Sequence, residues 1–311
     1  MIKGLAITPP VVGRISIGRV VEKNGKRLPE KDDQFTITTQ IQSPDGWVLH
    51  PLDARFRESS STNKKLRSIP VRCLFNAPDL NLRAEYSCFD RSSGRPLCVG
   101  DGEQCKRVTK DGVESLPCPS PEQCSFGKGG LCKPYGRLHV QLDDSDDLGT
   151  FVFRTTGFNS IRTLSARLSY YQAVSGNLLS CLPLELKLRG KSTAQSYRHP
   201  IYYVDIILRA GMSLQEAVIE AKKVYQQRKE AGIDQITLDA AARIGLSNGQ
   251  FEYGEEEGAD VVEEFYSEPP ASLGTSSPSH PMEKNGTTAS HPTASLKDKL
   301  AAKASPLQSL Q

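Results

Sequence analysis

The chain has 311 residues, of which 37% are apolar, enough to bury the core of one large domain or two modest ones. Thirty-nine Lys and Arg against 36 Asp and Glu leave a net charge of +3, a total that by itself points to no polyanionic partner. No apolar run approaches the roughly 20 residues of a membrane helix and mean hydropathy is −0.42, so a helical membrane span is excluded. The distribution says more than the total. Residues 250–311 hold ten acids and four bases, a net of −6, which leaves +9 for residues 1–249. A body with that excess suits a phosphate-bearing partner. Residues 1–10, Met1-Ile2-Lys3-Gly4-Leu5-Ala6-Ile7-Thr8-Pro9-Pro10, lack the apolar stretch and cleavage site of a secretory signal. A cytoplasmic location is therefore expected, in which the eight cysteines serve as buried thiols, a catalytic thiol or metal ligands rather than disulfides.

Alternation of apolar and polar residues predicts strands over 35–42, 71–75 and 82–89, with a polar loop at 58–65. Over 90–134 apolar periodicity disappears while Gly, Pro and Cys accumulate, so something other than a hydrophobic core must order that stretch. Strands at 137–142 and 150–154 flank the acidic turn Asp143-Asp144-Ser145-Asp146-Asp147 as a β-hairpin. The turn lacks the spacing and glycine of a calcium loop and reads as solvated. Asn159 or Ser160 can cap a helix whose stripe is Ile161, Leu164, Leu168 and Tyr171, ending near Gly176 and Asn177. Strands follow at 184–189 and 201–208. Ser213-Leu214-Gln215-Glu216 is a capping box opening a helix with Leu214, Ala217, Val218, Ala221, Val224 and Tyr225 on one face, and a shorter helix over 238–244 stops at Gly245. From about 249 the chain is acidic, then rich in Ser, Pro and Thr, a composition that predicts a disordered tail. Residues 296–303 within it have helical character that suits docking on a protein partner.

Five cysteines fall at Cys98-x6-Cys105-x12-Cys118-x5-Cys124-x7-Cys132, among polar residues with no hydrophobic pocket in view. Four soft ligands placed tetrahedrally would let zinc supply the folding energy that this stretch lacks. Cys118, Cys124 and Cys132 form the compact group, and Cys98 or Cys105 is the fourth ligand. Thiolates alone leave no open position, so the zinc would be structural. Cys73, Cys88 and Cys181 sit in apolar strands or at their edges and read as core residues.

Between 154 and 198 the bases are Arg154, Arg162, Arg167, Lys187, Arg189, Lys191 and Arg198, with Glu185 the only acid, a local net of +6. Hydroxyls, Asn159 and the rings of Phe158, Tyr170, Tyr171 and Tyr197 are interleaved, a mixture that can hold phosphates and stack on bases. Gly190-Lys191-Ser192-Thr193 is not a Walker A loop, because Glu185 stands where its first glycine belongs. No G-x-S-x-G elbow joins a strand to a helix and no H-E-x-x-H motif is present, and outside the tail only His50, His139 and His199 could act as general bases.

The run Phe153-Arg154-Thr155-Thr156-Gly157-Phe158-Asn159-Ser160-Ile161-Arg162-Thr163-Leu164, with Pro183-Leu184-Glu185-Leu186, Arg189-Gly190-Lys191-Ser192-Thr193 and Tyr202-Tyr203-Val204-Asp205, resembles a family of phage and mobile-element proteins. These are similar to the recombination directionality factors of large serine integrases, and members are often described as hydrolase or metal-binding proteins. The resemblance covers roughly residues 1–245. In its pattern the cysteine of Pro96-Leu97-Cys98-Val99-Gly100-Asp101-Gly102 is kept, while the position of Cys105 is often a small residue that is not a ligand. That favours Cys98 with Cys118, Cys124 and Cys132. The function implied is binding a serine integrase and redirecting it from insertion towards excision, a non-enzymatic effect, though kinship of fold alone does not establish activity.

The sequence thus predicts an α+β protein of mixed or antiparallel sheets with two main helices. Its expected parts are a β-rich stretch over 1–89, a zinc-binding insertion over 90–135, a mixed β/α part with the basic surface over 136–248, and a disordered tail over 249–311. The leading function is a zinc-containing accessory factor of mobile-element recombination that binds a serine integrase, DNA or both. The alternative is a single-stranded nucleic-acid binding protein whose acidic tail recruits other proteins. A metal-dependent hydrolase ranks last, since no open metal site or activated nucleophile is visible.

Overall fold

The structure, a computed structural model, describes residues 10–23, 26–44, 46–59, 65–142, 149–192, 194, 198–248, 261–262 and 265–266. All belong to one compact unit of the chain, Met1–Pro270. The acidic turn 143–147 and most of the expected tail lie outside the described residues.

The fold is α+β, built on one branched mixed sheet. Its main path runs β3(Gly46–Leu49), β2(Lys26–Ser43), β1(Val11–Lys23), β10(Thr150–Thr155), β9(Cys132–Leu142), β5(Leu82–Phe89), β6(Pro96–Gly100), β7(Gln104–Thr109), β8(Gly112–Pro117). The end of β9 also pairs with β4(Ser68–Arg72), which continues into β11(Leu184–Lys191) and β12(Ile201–Leu208). Among the described residues every pairing is antiparallel except β1 with β10. The expected hairpin of β9 and β10 is present, with Phe151 opposite Val140 and Phe153 opposite Leu138. Fully buried Phe35, Ile37, Leu138, Val140 and Phe151 from the main path join Ile69, Leu184, Leu186, Val204 and Ile206 from the branch in one core. Each such side chain, removed from water, contributes about 1.5–3 kcal/mol.

Helices close this core. α1(Pro51–Ser59) starts where His50 Nδ1 accepts from the Leu52 N–H at 3.2 Å, and its buried Asp53 accepts from the Ile37 N–H at 2.9 Å and from Arg57 Nε at 2.6 Å. Short helices α2(Pro78–Asn81) and α3(Ser120–Gln123) occupy connections. α4(Phe158–Val174) buries the expected stripe Ile161, Leu164, Leu168 and Tyr171. Its N-cap is Gly157, not Asn159 or Ser160; Ser160 is drawn inward instead, where its Oγ accepts from the Val204 N–H at 3.1 Å. α5(Leu214–Glu230) begins with the complete Ser213–Glu216 capping box and buries Ala217 and Ala221, while Leu214 and Tyr225 remain largely exposed. α6(Gln235–Asn248) runs through Gly245 rather than stopping there.

The 90–135 stretch departs from expectation. Strands β6, β7 and β8 extend the sheet beyond β5, so backbone pairing orders much of the middle of the expected insertion. Beyond 249, Val261 and Phe265 are fully buried in the same unit, against Phe89 and Tyr135. Among the described residues no helix is long and apolar enough to cross a membrane.

Candidate cysteine centre and basic face

Cross-strand register assembles the thiols. Cys88 on β5 lies opposite Cys132 on β9 and, on its other side, opposite Cys98 on β6. Gly100 pairs with Cys105 on β7, and α3 ends at Cys124, whose N–H donates to the Ser120 carbonyl at 3.0 Å. Two glycines let the side chains approach. A Cβ on Gly100 would lie 2.7 Å from Cys105 Cβ and 3.0 Å from Cys118 Sγ, and one on Gly127 would lie 2.6 Å from Cys132 Cβ and 3.8 Å from Cys124 Cβ. The Cys132 thiol is pushed up to about 12 first by burial, then by the neighbouring thiols of Cys88, Cys98, Cys118 and Cys124. Cys105 is raised to about 11, by burial and then by its hydrogen bond with Cys98.

The four cysteines expected as ligands are therefore neighbours, and Cys88 and Cys105 border them. Cys88, which reads as a core residue in sequence, belongs here, whereas Cys73 and Cys181 are buried in the main core. Among the described residues, however, no three or more His, Cys, Asp or Glu side chains converge in a metal-holding arrangement. Arg107, which sequence reasoning missed, stands opposite Cys98 on β7. Its Nη2 lies 3.7 Å from Cys124 Sγ and its guanidinium stacks 4.4 Å from the Phe126 ring centre. A fixed cation beside thiols favours their ionised form.

The basic segment divides. Arg167 of α4 and Arg189 of β11 both reach the buried Asp205 carboxylate, with Nε to oxygen distances of 3.2 and 2.7 Å. Lys187 lies 3.7 Å from Glu185, also buried, and Lys191 Nζ donates to Asn159 Oδ1 at 2.7 Å beside the Tyr203 ring. Three cations of α4 and β11 thus share two carboxylates while Lys191 is held by an amide oxygen, and Phe158, next to Asn159, is 56% exposed. Arg154 belongs to a different group. It stands in register with Arg137, and Arg137 with Arg83, a row across β10, β9 and β5 in which Glu85 accepts from Arg137 at 2.9 Å. Arg162 is exposed on α4, and Arg198 takes a left-handed turn (φ 63°) before β12.

Two of the three candidate general bases have structural settings, while His199 is exposed just before β12. His50 caps α1, and burial lowers its pKa. His139 is lowered to about 3 by burial and then by Arg137, Arg83 and Arg154. A cleft of about 630 Å³ beside α2 and α4 is lined by Arg83, Glu85, Ser165 and Arg243, and its charges are tied within the protein, Arg243 to Asp79 at 2.6 Å.

Fold and site define an α+β protein with a thiol centre at one end of a branched sheet and a basic face on its other arm. A family model described as Gp3-like, recombination directionality factor-like, matches residues 12–209, well over half of the chain. The chain belongs to the recombination directionality factor-like family. No curated protein and no solved structure matches it.

Proposed function

We propose that this protein is a non-enzymatic accessory factor of mobile-element DNA recombination, which binds a serine integrase and contacts DNA. The family match over residues 12–209 carries this reading. Such a factor acts by differential affinity: it shifts recombination towards excision only to the extent that it binds one integrase–DNA arrangement more tightly than the other. Lys187, Arg189, Lys191 and Arg167 offer the phosphate-facing cations. Buried Asp205 and Glu185 hold Arg167, Arg189 and Lys187, and Asn159 holds Lys191, which leaves the group net positive.

Cys98, Cys118, Cys124 and Cys132 would hold a structural zinc. The all-thiol donor set, the room made by Gly100 and Gly127 and the cation of Arg107 support this assignment. When bound, zinc would keep the thiolates ionised and tie α3 and the start of β9 to the β6–β7 pair.

An excision assay with the integrase encoded on the same element tests the function. Addition of the protein should promote excision and suppress insertion, and an unchanged product ratio together with no co-purification of integrase defeats it. Metal analysis tests the zinc: about one per chain is expected, lost in Cys118→Ser but kept in Cys73→Ser. Less than that in the unmutated protein removes the metal from the proposal without touching the integrase reading. The exposed Phe158 ring, adjacent in sequence to the Asn159 that accepts from Lys191, supports a second reading, a single-stranded nucleic-acid binder. Absence of binding to single-stranded oligonucleotides at low salt, where phosphate contacts are strongest, defeats it.

A further inference from the structure

Cys88 faces another cysteine on both sides, Cys98 across to β6 and Cys132 across to β9. The two pairings differ in kind. In an antiparallel ladder hydrogen-bonded and non-hydrogen-bonded pairs alternate, so positions two apart along a strand are of one kind. Tyr86 stands opposite Pro134, which has no N–H to exchange, so that pair is non-hydrogen-bonded and Cys88–Cys132, two positions on, is another. The Cys132 N–H accordingly donates to the Gly127 carbonyl at 3.4 Å, outside the β5–β9 ladder. Side chains stand closest in such a pair, with Cα atoms about 4.5 Å apart, inside the roughly 4.4–6.8 Å that a disulfide spans.

The other pairing is less suited. Backbone groups of one residue point to one side of a strand, so Cys88 bonds towards β6, where opposed Cα atoms stand about 5.5 Å apart. The β5–β6 register also slips between Cys88 and Phe89. Cys88 and Cys132 are both free thiols. Cys88 is 2% exposed and Cys132 half-buried, so a small reagent reaches the pair from the Cys132 side.

We propose that Cys88 and Cys132 form a thiol–disulfide switch, closed by a low-molecular-weight disulfide such as oxidised glutathione. Cys132 loses its proton to solvent, attacks one sulfur of the reagent and expels one small thiolate. Cys88, deprotonated in turn, attacks the Cys132 sulfur of the mixed disulfide and expels the second. Two protein thiols give up two electrons, the reagent's S–S bond is reduced, and the two released protons end on the two small thiols. Burial holds both cysteines as neutral thiols, which slows the exchange but gives the reduced pair none of the advantage that a stabilised thiolate has at equilibrium. Closure staples β5 to β9 and takes Cys132 out of the proposed zinc set. The disulfide stands without the zinc reading; the loss of a ligand rests on it.

The test equilibrates the full chain, stripped of metal by a chelator, in glutathione buffers of rising oxidised fraction, blocks the remaining thiols with N-ethylmaleimide and maps the bonds by mass spectrometry after trypsin. Cleavage isolates Cys88 in residues 84–91 and Cys132 in residues 129–137, apart from the other cysteines. Two of the eight thiols should disappear together, and these two peptides should be the ones linked. The unmutated protein decides this, so no variant has to fold. A different principal bond, to Cys98 or Cys124 for example, overturns the proposal, and so does retention of all thiols in a buffer that oxidises the urea-unfolded chain. In zinc-loaded protein, metal release to a chromogenic chelator should track closure, while Cys88→Ser or Cys88→Ala with a native circular dichroism spectrum should keep its zinc at the same glutathione ratios. Closure without release, or equal release from those variants, overturns the loss of a ligand. Protein that takes up no zinc defeats the zinc reading alone, and the mapped bond still decides the switch.

Discussion

Gly100 and Cys118 meet with no room for a side chain between them: a Cβ on Gly100 would lie 3.0 Å from the Cys118 sulfur. It would also lie 2.7 Å from Cys105 Cβ and 2.8 Å from the Gln104 carbonyl, a backbone atom that cannot swing aside. Gly100→Ala should destabilise the protein by about 1–3 kcal/mol, the usual cost of overpacking. Urea denaturation reads the loss, and hydrogen exchange should localise it to β6 and β7. A substitution with no effect would mean that the thiol centre is looser than its geometry.

Arg167 and Arg189 share Asp205, whose side chain is 3% exposed while theirs are 47% and 43% exposed. Losing one arginine should cost little, because the other still compensates the charge and exposed ion pairs contribute about 0–1 kcal/mol. Losing both strands a buried carboxylate, at about 3–5 kcal/mol. Chemical denaturation of Arg167→Ala, Arg189→Ala and the double variant should therefore show strong non-additivity. Adding Asp205→Asn to the double variant should recover part of the loss. Additive effects would show that the two arginines do not act on one carboxylate.

The S-x-x-E signal at Ser213 is realised in full: Ser213 Oγ accepts from the Glu216 N–H at 3.3 Å and the Glu216 carboxylate accepts from the Ser213 N–H at 2.8 Å. Ser213→Ala should cost about 0.5–2 kcal/mol in thermal or chemical unfolding. Glu216→Gln should cost less, since an amide oxygen can still accept. A null effect of Ser213→Ala would place the stability of α5 wholly in the packing of Ala217 and Ala221.

Such local signals were the legible part of the sequence. β5 and β12 match their expected bounds, and α4 buries its expected stripe, because alternation and helical spacing are written in neighbouring residues. What stayed hidden depends on partners distant in the chain. Nearly all of β8 is exposed, and Val108 and Val113 face outward, so neither β7 nor β8 carries a burial pattern to read. Cys88 looks like any strand thiol until the register sets it between Cys98 and Cys132. Arg107 is likewise one cation among many until β7 lies beside β6. Val261 and Phe265 were hidden by composition: two short apolar pairs in an acidic run do not suggest burial, and they find it only against Phe89 and Tyr135.

His139 gives the fold a pH dependence of known sign. Part of its surface stays accessible, yet burial and the arginines at 137, 83 and 154 hold its pKa at about 3, below the ordinary 6.5. Above pH 6.5 the ring is neutral in both folded and unfolded chains and stability is unaffected. Between 6.5 and about 3 the unfolded chain takes up a proton that the folded one refuses, so stability falls as pH falls. The slope approaches at most about 1.4 kcal/mol per pH unit from this residue. His139→Gln, which cannot titrate, should flatten the urea-midpoint profile between pH 6 and 4 relative to the unmutated protein. A difference between the two proteins that does not change over that range would show that His139 titrates normally and that the three arginines do not govern it.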